Sequence, residues 1–184
     1  MMPPQESTAQ RLLNFSIDLL GQALAIVALH ERTAALDYAS AVGAHLLHVI
    51  EHYDALLHLG ESGVVDYDRR ARDRDLERQP AVARARLEGL QARLLHWTDA
   101  QLQAPLQVRG VAGLVGELEF TVASSVGREL VFVASHAIHH FALLRAHCQQ
   151  IGLPMPPEFG LAPATVRHER ATNAPNRLLL PCTL

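Results

Sequence analysis

Apolar residues recur at helical spacing in four stretches of the chain, over about 8–31, 40–59, 80–97 and 124–151. A serine opens the second and fourth stretches, and serine is a favoured residue at the start of a helix. A proline opens the third, where its fixed backbone angle suits the first turn. Four long helices in 184 residues predict an all-α protein built as a four-helix bundle, whose helix order need not be a simple up-down sequence.

The segments between these helices carry other patterns. Apolar residues alternate over 106–108 and 118–122 with glycines between them, which predicts a short β-hairpin before the fourth helix. The charged connector "VDYDRRARDRDLERQ" predicts a solvated linker. The proline-rich tail predicts an extended segment over the surface, with Phe159 as an apolar anchor. We therefore expect one domain, 1–184, with its core over about 8–152 and a tail over 153–184.

The composition of the chain is that of a globular protein and argues against several other classes. Apolar residues make up 49% and charged residues 19% of the chain, an ordinary globular balance. The net charge of −3 does not favour nucleic-acid binding, whose proteins usually carry a basic face. We expect no membrane span, because no apolar run approaches 18 residues, and no secretory signal at the amino terminus. A cytoplasmic protein is the resulting expectation.

Histidines cluster on two of the predicted helices. The stretch "SHAIHHFALLRAH" places His136 and His140 four residues apart, one turn along the same helical face. On the second helix, His45, His48 and His52 fall within roughly 60° of one another around the axis. Both faces continue into large apolar residues, so we expect the two histidine stripes to meet in the core.

Imidazoles in this pattern indicate a divalent metal site. Two histidines at i and i+4 can share one ion, and a third from another helix leaves a position open for water or substrate. The alternative stays open, because a histidine on an apolar face is often a core residue with a satisfied partner. Four further histidines lie near helix ends or in the tail and are expected to face solvent: His30, His58, His96 and His168.

Two other residues near the stripes have several possible roles. His139 is about 60° off the line of the HxxxH pair, so it could orient a ligand or simply pack. Glu129 could orient a ligand or serve as an acid or base, but its favoured role is that of an acidic residue in the first turn of a helix. A di-iron carboxylate centre is disfavoured, because Glu-x-x-His pairs are not found on two helices. Bis-histidine haem ligation stays a minor alternative, although no CxxCH motif is present for covalent attachment.

The chain resembles the DinB/YfiT-like family of metal-dependent enzymes. The resemblance rests on "SAVGAHLLHVIEHYDALL", "GRELVFVASHAIHHFALL", "VDYDRRARD" and "LPMPPEFGLAP", and it extends from the second helix to Pro163. It implies a four-helix bundle with a non-sequential helix order, a divalent ion (zinc or nickel) and a homodimer. The implied metal ligands are His48, His136 and His140, with His52 as the rival on the second helix.

The same resemblance implies transfer of a low-molecular-weight thiol to a small electrophile. The histidine stripe carries no cysteine, so the thiol would have to be a cosubstrate. An arginine often follows the last histidine in that family, whereas Phe141 stands here, so a partner bound by that arginine is not expected. The alternatives are metal-assisted hydrolysis, with Glu129, His52 and His139 as candidate acid–base residues, and a non-catalytic metal- or ligand-binding module acting as a dimer.

Overall fold

The structure of the chain is a computed structural model that describes residues 6–33, 37–60 and 62–172. Seven α-helices lie in these residues: α1 (Thr8–Arg32), α2 (Ala44–Leu57), α3 (Arg74–Arg78), α4 (Pro80–Leu94), α5 (Asp99–Gln103), α6 (Val126–Gln150) and α7 (Pro163–Thr172). A π-helix, Ala39–Gly43, leads directly into α2. Three strands complete the fold: β1 (Val64–Asp66), β2 (Pro105–Ala112) and β3 (Leu118–Ser125).

The four long helices pack around one core. The main helix partners of α1 are α4 and α6, and α2 packs against the same two helices. The order around the core is therefore α1, α4, α2, α6, which is not the order along the chain. Leucine and valine side chains from all four helices fill the interior, including Leu20, Leu46, Leu90 and Leu144, each at most 1% exposed. Their burial is the main favourable term in folding.

The predicted helix boundaries agree closely with the structure because local signals set them. The side chain of Ser125 accepts a hydrogen bond from the Arg128 amide at the start of α6, as an N-cap should. Ser7 does the same for α1, accepting from the Gln10 amide at 3.0 Å. Pro80 occupies the first turn of α4. The prediction of four long helices is confirmed.

The sheet departs from an all-α fold. The predicted hairpin is present, because β2 and β3 pair antiparallel from Pro105↔Ser125 to Ala112↔Leu118. The third strand, β1, joins β2 in parallel and belongs to the charged connector. The chain is thus mostly helical with a small mixed sheet, and "all-α" describes it only in part.

The charged connector is the predicted solvated linker only in part, because most of its charged side chains are exposed but two apolar residues are buried. Val65 in β1 and Leu76 in α3 are 1% and 2% exposed. The Tyr38 hydroxyl donates to the Leu76 carbonyl at 3.0 Å and ties the connector to the start of the second helix. Two apolar residues among many charges were enough to anchor the segment in the core.

The tail is partly helical, contrary to the expectation of an extended segment. Pro163 is the first residue of α7, and the nine residues after it contain no proline. Phe159 is 1% exposed and stacks on Phe141 with ring centroids 5.3 Å apart, so it is the apolar anchor that was expected. The part of the predicted tail over 173–184 lies outside the described residues.

One helix in the described residues, α1, is long and apolar enough to cross a membrane by length and composition alone. Polar residues such as Asn14, Asp18 and Gln22 interrupt its apolar sequence, so the expectation of no uninterrupted apolar run of 18 residues is not contradicted. The buried side of α1 carries Leu13, Leu20 and Val27, which pack into the shared core. A core helix of a globular domain satisfies the same criteria, so α1 is weak evidence for a membrane.

Candidate metal centre

The packing of α2 against α6 brings three predicted ligands together. One ring nitrogen from each of His48, His136 and His140 lies within 4.8 Å of the others. The ring centroids are 4.7–4.9 Å apart in all three pairs. All three side chains are half-buried. The two stripes therefore meet at one point, as the helical spacing predicted.

The spacing within the α6 pair matches that of two nitrogens on one ion. His136 Nε2 and His140 Nε2 lie 3.2 Å apart. Metal–nitrogen bonds of 2.0–2.1 Å at a tetrahedral angle place two ligand nitrogens about 3.3 Å apart. Imidazole nitrogen suits zinc, nickel, copper and iron. The residues present thus fit a divalent transition-metal ion.

The environment keeps these imidazoles neutral. Burial is the largest cause, and it lowers the pKa of His48 to about 4 and the pKa of His140 to about 3. The pKa of His136 is lowered for the same reason. Neighbouring imidazoles act in the same direction, as does the positive charge of Arg70 on His48 and His136. A neutral imidazole keeps the lone pair that a metal ion needs.

His52, the rival ligand, packs directly against the cluster, with its ring centroid 4.2 Å from that of His136 and 4.4 Å from that of His48. Its Nδ1 is 2.7 Å from the His48 carbonyl oxygen, one turn earlier on α2. Its ring stacks on Tyr67 with centroids 5.4 Å apart and an interplanar angle of 12°. At 6% exposure it is the most buried histidine of the group, and burial lowers its pKa to about 4. Its ring nitrogens lie outside the three-nitrogen group.

An arginine from the connector reaches the cluster. Arg70 Nη1 contacts His48 Nδ1, and the same nitrogen lies 3.6 Å from Glu51 Oε2. Glu51 is 5% exposed, and its other oxygen accepts from the Asp73 amide at 3.1 Å. Arginine carries only donors, so the contact with His48 uses the imidazole lone pair at Nδ1.

Glu129 belongs to a separate buried network. Its carboxylate accepts hydrogen bonds from the Tyr67 hydroxyl at 3.0 Å, from Ser124 Oγ at 2.7 Å and from Arg128 Nη1 at 2.7 Å. It is fully buried in the first turn of α6, the position that was the favoured interpretation. Tyr67 links it to the cluster by stacking on His52. Because its carboxylate already accepts three hydrogen bonds, Glu129 is poorly placed to act as a base at the metal site.

The remaining predicted histidines divide by exposure. His139 is exposed, with its ring centroid 5.5 Å from that of His140, so it lies on the solvent side of α6. His30 is only 5% exposed, which corrects the expectation that it faces solvent. Its Nδ1 lies 2.9 Å from the Ile26 carbonyl oxygen, and its ring meets Tyr38 edge-on. The other three are exposed as expected: His58, His96 and His168.

Sequence reasoning assigned no role to three residues at the site. His45 was placed on the α2 stripe, and its Nδ1 lies 3.0 Å from His140 Nδ1. Arg70 and Tyr67 were assigned to a solvated connector. A lone tyrosine among charged residues was the available signal that this segment is partly buried.

The comparisons with known proteins gave one match. Over 105 residues the chain is 34% identical to "FK506-binding protein 5" from Rhizopus delemar. The match covers 57% of this chain and 27% of that protein. No protein-family model matches the chain, and no solved structure matches it.

This match contradicts the identification of the chain as a DinB/YfiT-like enzyme. The relative is named for binding FK506. Thiol transfer was supported only by the resemblance to the DinB/YfiT-like family. The transferase and the DinB-type bundle are therefore withdrawn, and the metal-assisted hydrolase is withdrawn with them. The positions of the histidines do not depend on the resemblance.

Proposed function

We propose that the chain holds one divalent metal ion between His48, His136 and His140. The observation that carries the proposal is the convergence of three ring nitrogens within 4.8 Å on two packed helices. Zinc and nickel are the ions proposed, since both accept a set of neutral nitrogen donors.

The chemistry of the donor set supports binding at neutral pH. Burial keeps the imidazoles neutral, so the ion would not compete with protons above about pH 6. Three protein ligands would leave room for water or a small molecule. The same three ligands would add no negative charge, so a bound ion would keep its full positive charge.

Calorimetric titration of the metal-free protein with Zn²⁺ and Ni²⁺ tests the proposal. We expect one ion per chain, and we expect His140→Ala to weaken binding by more than about 100-fold, since even residues behind the ligands contribute 10–100-fold. His139→Ala is the matched control, because His139 is adjacent but exposed. Binding that is missing in the wild type, or equal in both variants, would reject the site.

A second candidate function is the binding of FK506, favoured by the match to a protein of that name. A cavity of about 420 Å³ near the histidine cluster offers a place for such a ligand, with the aromatic rings of Tyr67, Phe120 and Phe132 beside charged residues in its wall. Calorimetric titration with FK506 tests it. Phe132→Ala should weaken binding, and a flat titration would remove the candidate.

Three earlier expectations remain proposals. We propose a homodimer in the cytoplasm, with a four-helix bundle as the scaffold of each chain. Light scattering on the purified protein would decide the first point, because a monomeric mass across micromolar concentrations would exclude the dimer.

A further inference from the structure

Both ring nitrogens of His140 face another imidazole. Its Nε2 lies 3.2 Å from His136 Nε2, and its Nδ1 lies 3.0 Å from His45 Nδ1. A neutral imidazole has one N–H and one lone pair. The position of a single proton therefore decides which neighbour His140 can donate to and which it can accept from.

We propose that His45 is a positioning residue that fixes the tautomer of His140. The inference rests on the proposed metal site, where His140 must offer its Nε2 lone pair beside His136. The proton of His140 is then on Nδ1 and needs an acceptor. His45 Nδ1 lies at hydrogen-bonding distance and accepts it.

The fold holds this pair in place from both sides. His45 lies in the first turn of α2, three residues before His48, so both histidines lie on the face of α2 that packs against α6. The His45 and His140 rings are tilted by 57° with centroids 5.3 Å apart, an arrangement in which their edges meet. Both side chains are half-buried, which limits competition from water.

A histidine acceptor gives the site a particular electrostatic character. Metal-bound histidines usually donate their second N–H to a carboxylate, a carbonyl or water. A carboxylate in that place would add a negative charge behind the ligand, whereas a neutral imidazole orients His140 without adding one. His45 thus fixes the direction of the lone pair and leaves the charge of a bound ion undiminished.

The wild-type protein provides the first test. Nitrogen-15 spectra of histidine-labelled, metal-free protein distinguish the two tautomers, and we expect His140 to carry its proton on Nδ1. A proton on Nε2 would overturn the proposal. This measurement needs neither a variant nor a metal, so it remains decisive for the His45–His140 contact even if the chain binds no ion.

Two substitutions then separate orientation from packing. His45→Phe keeps a ring but removes the acceptor, and it should weaken Zn²⁺ binding by about 10–100-fold. His45→Gln supplies an amide oxygen as acceptor and should recover much of the loss, with His140 again protonated on Nδ1. The proposal would be overturned if His45→Phe bound Zn²⁺ as tightly as the wild type does. It would also be overturned if both variants bound Zn²⁺ equally weakly and neither changed the tautomer of His140. A wild type that binds no Zn²⁺ but shows the Nδ1 tautomer would reject the metal function alone.

Discussion

The metal-free protein should lose stability as the pH falls from about 6.5 to about 4, and His52 should account for a large share of the loss. His52 is 6% exposed, and burial lowers its pKa from an ordinary 6.5 to about 4. The unfolded chain therefore binds a proton on His52 before the folded chain does. Above pH 6.5 His52 is neutral in both states, so the folded protein keeps its full stability, and that stability is lost as the pH falls through this window.

The magnitude follows from the size of that pKa difference. Lowering the pKa of His52 from 6.5 to about 4 corresponds to roughly 3 kcal/mol at the acid end of the window. The whole stability of a domain is typically about 5–15 kcal/mol. His48 and His140 shift in the same direction, but they are half-exposed and solvent screening reduces their share.

Urea unfolding at pH 7.5 and pH 4.5, in the presence of a chelator, measures this loss. The variant His52→Phe keeps an aromatic ring against Tyr67 and should show a smaller difference between the two pH values. The carboxyl groups are the same in both proteins, so the difference between the two differences reports the loss of His52 together with its effect on the pKa of His48. His96→Gln, at an exposed position, should behave as the wild type does. If His52→Phe lost as much stability in acid as the wild type, the burial of His52 would not be a cause of the acid sensitivity.

Two further substitutions test other contacts. Arg70→Met should raise the affinity for Zn²⁺ about tenfold or more, measured by chelator competition, because the bond from Arg70 occupies the His48 lone pair that an ion needs. Arg69→Met, at an exposed neighbouring position, should leave the affinity for Zn²⁺ unchanged. Weaker Zn²⁺ binding in Arg70→Met would mean that Arg70 does not compete with the ion. Gly43→Ala should lower the free energy of unfolding by on the order of 3 kcal/mol in urea titrations, because the added Cβ would lie 1.8 Å from the carbonyl oxygen of residue 77. Gly89→Ala, on an exposed face of α4 with open space around it, should instead be neutral or stabilising.

The elements that the sequence predicted well are those set by local signals. Apolar spacing, a serine cap and an opening proline act within one or two turns, so they defined the four long helices and the hairpin. The strand β1 escaped prediction because its partner, β2, lies about 40 residues away and a three-residue strand has almost no pattern of its own. The prediction of an extended tail was wrong for a different reason. In the tail every proline was taken as a helix breaker, although Pro163 stands at the first position of α7, where proline is tolerated.

In the candidate site, too, the contacts within one helix were predictable from the sequence and the contacts between helices were not. The i,i+4 relation of His136 and His140 is a property of one helix, and the sequence displays it directly. The same holds for the contact of His52 with the carbonyl of His48, one turn back on α2. The contact that orients His140 comes from His45 on another helix, and only the packing of α2 on α6 creates it.

Because contacts between helices orient the rings, the spacing of histidines in a sequence does not by itself show a metal site. Spacing shows which rings can lie together, but an imidazole binds a metal ion only if its lone pair points the right way. The direction depends on what each ring meets on its far side, and here those partners are His45 behind His140 and Arg70 against His48. The first would favour a bound ion and the second would oppose it. The balance between these two contacts, rather than the number of histidines, should therefore set how tightly this chain holds a metal ion.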